Sequence, residues 1–110
     1  KNFNYMERIK RPEEVILTAN DVLLEVIMKK NGLVAANENG NIDYMVLIAK
    51  GENTPPCYEV GDIVIDITPG QDMPFKTQDR AFVKIPSYAI RLAVKPDNFD
   101  NKPKSVLTIN

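Results

Sequence analysis

The sequence predicts an all-β fold for this chain of 110 residues. Short apolar segments alternate with turns rich in glycine, proline and asparagine, and their spacing of roughly 8–12 residues is typical of small barrels and sandwiches. Residues 58–65 show this pattern most clearly. Gly61 gives the backbone freedom to turn, and Ile63, Ile65 and Ile67 then follow at alternate positions. This alternation predicts a strand with one face against a core.

Composition limits the classes of protein to which the chain can belong. Its length suits one domain with one core, and its contents of 44% hydrophobic and 26% charged residues are typical of soluble globular proteins. The net charge of −1 and the scattered basic residues favour neither a nucleic-acid nor a membrane partner. The lone Cys57 cannot form an intrachain disulfide, so we expect a cytoplasmic protein.

Residues 12–30 admit two interpretations. A proline at the first position and a pair of lysines at the end suit a helix. The six β-branched residues in the same window favour strands instead, and Asn20-Asp21 suits a turn between two of them. We therefore predict strands over residues 15–18 and 22–28.

The rest of the chain has plainer patterns. Asn39-Gly40 is a strong hairpin signal, and a polar tail follows Pro96. Further strands are predicted over residues 44–49, 63–67, 81–85 and 88–94. The side chains that we expect in the core include Val46, Ile63, Ile65, Val83, Ile90 and Leu92.

The predicted strands divide the chain into an N-terminal arm over residues 1–19, a β-barrel domain over 20–95 and a C-terminal arm over 96–110. Each arm contains an apolar segment with the character of a strand, and an exposed edge strand invites pairing with another chain. We therefore expect a homo-oligomer. The residues predicted to make its contacts are Val15, Ile16, Leu17, Val106, Leu107 and Ile109.

The sequence lacks the residues on which most catalytic sites depend. It has no histidine and a single cysteine, which removes the common catalytic triads and a zinc site with the usual ligands. Asp62 and Asp66 would stand about 13 Å apart at the rise of a strand, too far for a glycosidase pair, and we expect both to be solvated. We therefore predict a non-enzymatic protein with no catalytic residue, no metal and no cofactor.

Three parts of the chain resemble the GroES-type co-chaperonin family. Residues 20–27 are similar to the Asp-x-Val-Leu-Val pattern of the family's opening strand. Residues 32–34 and 44–51 resemble its Gly-Ile-Val loop tripeptide and the strand that follows the loop. Residues 60–65 and 75–94 parallel its Val-Gly-Asp-x-Val strand and its closing strands.

This resemblance implies a small irregular β-barrel that assembles as a ring and grips a chaperonin with a mobile hydrophobic loop. Carried onto this chain, it makes Gly32, Leu33, Val34 and Ala35 the expected partner-binding residues. The implied function is that of a non-enzymatic, co-chaperonin-like ring subunit that caps a chaperonin. In a different interpretation, Leu33 and Val34 begin a strand that pairs with residues 44–49 in a hairpin.

Two departures from the family's pattern point to a second function. The loop is short on the side that precedes Gly32, and the two arms are long. Both features are more usual in divergent phage-encoded versions of the barrel, or in a virion protein that reuses it. The alternative is therefore a viral structural or assembly protein, such as a capsid accessory or decoration subunit, found in the host cytoplasm or the virion. A barrel domain with an unrelated partner is a third, less specific possibility.

Overall fold

A computed structural model describes residues 8–29, 42–77 and 79–100 of the chain. Within these ranges the fold consists of antiparallel strands and short 3-10 turns, without an α-helix, which confirms the all-β prediction. The strands are β1 (Asp21–Met28), β2 (Ile42–Lys50), β3 (Ile63–Ile67), β4 (Met73–Lys76), β5 (Ala81–Pro86) and β6 (Ile90–Val94). The 3-10 turns span Pro12–Glu14, Ser87–Ala89 and Pro96–Asn98.

The six strands form one sheet in the order β4-β5-β1-β2-β3-β6, and each neighbouring pair is antiparallel. β1 and β2 occupy the centre, while β4 and β6 are the two edges. Among the described residues these edges do not pair with each other. The sheet is therefore open, in contrast to the closed barrel that the sequence predicted.

One buried cluster lines the inner face of the sheet. It takes members from β5 and also from β6, which stand four places apart in the strand order and would be roughly 19 Å apart in a flat sheet with the usual strand spacing. However, β5 ends at Pro86 and β6 begins at Ile90, only four positions later, so these two ends lie at most about 14 Å apart. The sheet therefore curls around this cluster. Its buried members are Val22, Leu24, Met45, Leu47, Val64, Val83, Ile85, Ala89 and Ile90.

The core prediction is correct for Ile63, Val83 and Ile90, which are buried, but wrong for Ile65 and Leu92, whose relative exposures are 40% and 51%. A shift of register between β3 and β6 leaves Ile65 without a partner on β6. The inward face of β3 is set by its pairing with β2, in which Val64 pairs with Met45 of the inner cluster and Ile63 with Val46 on the opposite face, so alternation directs Ile65 away from the inner cluster.

Val64, which the predicted inward alternation of Ile63 and Ile65 places outward, is instead fully buried in the inner cluster. Tyr88 lies in a 3-10 turn ahead of β6 and is exposed, so the predicted strand over residues 88–94 is two residues too long at its start. Val46 is half-buried on the opposite face of the sheet.

Residues 12–28 follow neither sequence interpretation completely. β1 and the turn before it confirm the second predicted strand, and the helix is wrong. Residues 15–18, however, do not form a strand.

β4 lies outside the strands that the sequence predicted, and it contains Pro74. A proline fits there because β4 is an edge, and the missing N–H need not serve a second neighbour.

Candidate functional site

The connection between β1 and β2 is longer than their geometry requires. Met28 and Ile42 are paired at the adjoining ends of these strands, so the connection comprises residues 29–41. Antiparallel neighbours are commonly joined by two to five residues. The predicted partner-binding residues, Gly32 to Ala35, belong to this connection and lie outside the described residues.

The middle of β2 is paired on both sides within the described residues. On one side, residues 44–47 of β2 pair with β1. On the other, Met45 and Val46 pair with β3, and the Leu47 N–H donates to the Asp62 carbonyl at 2.9 Å. Met45–Leu47 therefore offer no free edge to a further strand. The hairpin interpretation of Leu33 and Val34 concerns residues outside the described ranges and stays a prediction.

The two edges of the sheet differ in how well they could pair with another chain. β4 has only four residues and includes Pro74, and short edge strands with proline resist pairing. β6 has five residues and no proline. The exposed side chains of Ile65 and Leu92 lie on β3 and β6 beside this edge. β6 is therefore the edge better suited to an interface.

A second apolar cluster lies on the outer face of the sheet. Its buried members come from β1, β2 and β5, and the N-terminal segment packs across them. We call residues 8–18 the strap. The cluster consists of buried Leu23, Ile48, Ala49 and Phe82, with Ile9, Val15, Leu17, Val46 and Phe75 partly buried against it.

The strap changes the interpretation of the predicted oligomer contacts. Val15 and Leu17 point onto the chain's own sheet, whereas Ile16 between them has a relative exposure of 96%. Of these three residues, Ile16 is the one that presents its whole side chain to the outside. The other predicted contacts, Val106, Leu107 and Ile109, lie outside the described residues.

Arg80 holds the strap to the outer face. Its guanidinium donates two hydrogen bonds of 2.9 Å to the Glu25 carboxylate on β1 and one of 2.8 Å to Glu13 in the strap, and it lies 5.0 Å from the Phe82 ring centroid. The Arg80 N–H donates to the Thr77 hydroxyl at 2.9 Å, which fixes the turn between β4 and β5. The hydrogen bonds from Glu25 and Glu13 raise the pKa of Arg80, and Arg80 lowers the pKa of Glu13.

Asp62 is buried, which contradicts the prediction that it is solvated. Its carboxylate accepts hydrogen bonds from Lys95 Nζ at 3.0 and 3.2 Å and from the Glu59 N–H at 2.9 Å. Lys95 also donates to the Cys57 carbonyl at 3.0 Å, and the hydrogen bond with Asp62 raises the pKa of Lys95. Asp66 is exposed, as predicted.

The Asp62 cluster has the character of a structural link. It ties the chain after β6 to the turn before β3, and the Asp62 carboxylate is satisfied by these partners. Gly61 is the one local signal for this turn in the sequence, and it adopts a φ of +102° as expected. Lys95 lies 33 positions from Asp62, and no local pattern joins them.

The described parts of the chain offer little beyond these surfaces. They contain no group of histidine, cysteine and acidic residues arranged to hold a metal ion, and Cys57 is an exposed free thiol. None of their helical segments has the length and apolar character needed to cross a membrane. No protein-family model, curated protein or solved structure matches this chain.

Proposed function

We propose that this chain is a self-associating, co-chaperonin-like subunit that binds a chaperonin through the connection between β1 and β2. The observation that carries this proposal is the length of residues 29–41 between two strand ends that are already paired. A connection that exceeds what the turn requires is often functional. Its sequence places Leu33 and Val34 among asparagine, glycine and charged residues.

The register of β2 supports an intermolecular role for these apolar residues. Because β1 and β3 occupy both sides of Met45–Leu47, this part of the central ladder has no free edge for a further strand. Two apolar side chains contribute a weak contact on their own. In a ring, several copies would engage the chaperonin together, and the effective concentration of the later contacts would raise the overall affinity.

The architecture is compatible with a ring of GroES-like subunits. The sheet curls around the inner cluster, as the wall of an irregular barrel would, and it is open between β4 and β6. The better of its two edges, β6, can take up a strand of a neighbouring subunit. Self-association through this edge does not use the connection between β1 and β2, the two central strands of the sheet.

The test is a Leu33→Ser, Val34→Ser double variant compared with an Asn37→Ser, Asn39→Ser control in the same connection. We expect the wild type and the control to bind a chaperonin with nucleotide, and the apolar variant to lose at least tenfold in affinity. Light scattering and far-ultraviolet circular dichroism report whether all three proteins keep their mass and fold. A correctly folded wild type that never binds the chaperonin contradicts the proposal.

The second candidate function, a capsid accessory or decoration subunit, is favoured by the exposed Ile65 and Leu92 beside β6. These side chains suit contacts between identical or related subunits and require no chaperonin. A wild type that assembles into a defined oligomer, but is not captured by a chaperonin under any nucleotide condition, supports this candidate over the first.

A further inference from the structure

The strap is attached to the sheet in a different way from every strand. Between residues 9 and 17 its backbone hydrogen bonds are local: the Glu14 N–H donates to the Arg11 carbonyl at 2.9 Å and the Val15 N–H to the Pro12 carbonyl at 3.4 Å. Its hold on the outer face comes from the partly buried side chains of the outer cluster and from the Glu13–Arg80 ion pair. It can therefore leave the sheet without breaking a ladder.

The strap ends at a fixed and strained residue. Ala19 has a φ of +49°, the left-handed conformation that residues with a Cβ rarely adopt. Its carbonyl accepts a hydrogen bond from the Asn53 N–H at 2.8 Å, and the next carbonyl, of Asn20, accepts one from the Ser87 N–H at 2.8 Å. The body of the protein thus holds the chain from the Ala19 carbonyl onward.

The contact with Gly51 shows how closely the body of the protein holds the Ala19 carbonyl. A Cβ built on Gly51 would lie 2.3 Å from the Ala19 carbonyl oxygen, so the two backbones meet with no room for a side chain. Rotation about φ of Ala19 moves the strap while leaving the Ala19 carbonyl and its contact with Gly51 in place. The rotation also moves the Thr18 carbonyl, so it gives up the hydrogen bond that this carbonyl accepts from the Asp21 N–H at 3.0 Å. A rotation to negative φ swings the strap away from the sheet and removes the left-handed strain.

We infer that the strap pivots at Ala19 and that two copies of this chain exchange straps, each covering the outer face of the other. Short hinges under strain favour such exchange, and an exchanged strap needs no new complementary surface because it makes the same contacts on an identical sheet. This inference rests on the self-association in the proposed function. It adds which segment crosses between copies and which residue, Arg80, receives it.

The Glu13–Arg80 pair gives a direct test, because it lies within one chain in the closed form and between chains in the exchanged form. One variant carries Glu13→Lys, which repels Arg80. A second carries Arg80→Glu with Glu25→Gln, which repels Glu13 and leaves residue 25 able to hydrogen-bond. A third carries all three changes in one chain, so it restores the pair in either form and serves as the control for folding.

Each of the first two variants carries the repulsion in both the closed and the exchanged form, so we expect each alone to associate with about the affinity of the wild type, measured by sedimentation velocity. In an exchanged pair made of the two variants every strap meets a residue of opposite charge, so we expect their equimolar mixture to associate at least tenfold more strongly than either variant alone. A mixture that associates no more strongly than the separate variants, while the triple variant behaves like the wild type, overturns the exchange and leaves self-association intact. A wild type that is monomeric at every concentration overturns both the exchange and the proposed self-association.

Ala19→Gly provides a second test that does not depend on charge reversal. Glycine adopts positive φ without strain, so this variant removes a driving force for leaving the closed form. We expect it to remain folded and to associate several-fold more weakly than the wild type. Association equal to or stronger than that of the wild type overturns the pivot.

Discussion

The two faces of the sheet are buried by different means. The inner face is covered by the curl of the sheet itself, so side chains such as Leu24 and Leu47 are fully buried among other strands. The outer face is covered by the strap, which contributes half-buried side chains and an ion pair but no ladder. Burial on the inner face is thus a property of the whole fold, whereas burial on the outer face depends on one segment.

This difference predicts two kinds of response to substitution. Loss of a side chain from the inner face weakens every strand at once and lowers global stability. Loss of a side chain from the strap weakens one local equilibrium, between the attached and the released segment, and leaves the sheet folded. Local opening of this kind is measurable by hydrogen exchange even where global unfolding is not changed.

The largest effect is expected at Leu24, which is fully buried in the inner cluster. Leu24→Ala leaves a cavity and should lower the free energy of unfolding by about 2–5 kcal/mol, measured by urea denaturation with circular dichroism. Leu92→Ala is the control, because Leu92 is half-exposed and a surface substitution changes stability by about 0.5 kcal/mol or less. Equal losses in the two variants would contradict the assignment of the inner face.

A smaller effect is expected at Leu17, a residue of the strap that is partly buried against the outer face of the sheet. Leu17→Ala removes about half of a full leucine burial and should favour release of the strap by about 1 kcal/mol. Hydrogen exchange should then accelerate in the strap, with no change in β2. Ile16→Ala, one position away and exposed, should leave exchange unaltered. Faster exchange throughout the sheet of Leu17→Ala would show that the strap is not a separate unit.

Ala19→Gly should stabilise the attached strap by about 1 kcal/mol, because it removes the cost of a left-handed alanine. The expected result is a higher melting temperature and slower hydrogen exchange in the strap. Thr18→Gly is the matched control. Among the described non-glycine residues positive φ occurs at Ala19, so glycine at position 18 relieves no strain, and the added backbone freedom should lower the stability of the protein. A lower melting temperature for Ala19→Gly would contradict the strain at the pivot.

The smallest effect is expected from pH. The hydrogen bond with Arg80 lowers the pKa of Glu13 below its ordinary value of 4.5, so the stabilisation is present above pH 4.5 and is lost as the pH falls through the folded pKa. The pair is exposed to solvent, and its contribution should be roughly a few tenths of a kcal/mol. Exchange in the strap, followed from pH 6 to pH 3, should rise more in the wild type than in Glu13→Gln. Parallel profiles would show that Glu13 does not hold the strap.

The parts of the fold that could be predicted from the sequence are those set by local pattern. Alternating or continuous apolar runs located β1, β2, β3 and β5 to within a few residues. Gly61 was expected to turn the chain, and it does so with positive φ. These features depend on side chains only a few positions apart, which is the range over which a sequence pattern is informative.

The features that could not be predicted depend on residues far apart in the chain. The inward face of β3, which leaves Ile65 exposed, is set by the pairing of β3 with β2, and the burial of Asp62 depends on Lys95. Residues 15–18 of the strap were predicted as a strand because Val15, Ile16 and Thr18 are β-branched, but the strap packs on the outer face of the sheet and does not pair with an edge. Similarly, Arg80 gains its role only when β5 brings it beside β1.

The position of β1 in the sheet has a consequence for synthesis of the chain. β2 follows β1 in the sequence, so these two strands can pair soon after they leave the ribosome. The other neighbour of β1 is β5, and the partner of Val22 on β5 is Ile85, which is synthesised 63 positions later. Until then the nascent chain presents a central, largely apolar strand with one row of unpaired backbone groups, a form prone to aggregation. A chain truncated before residue 81 should therefore be insoluble, whereas one that ends after β6 should not.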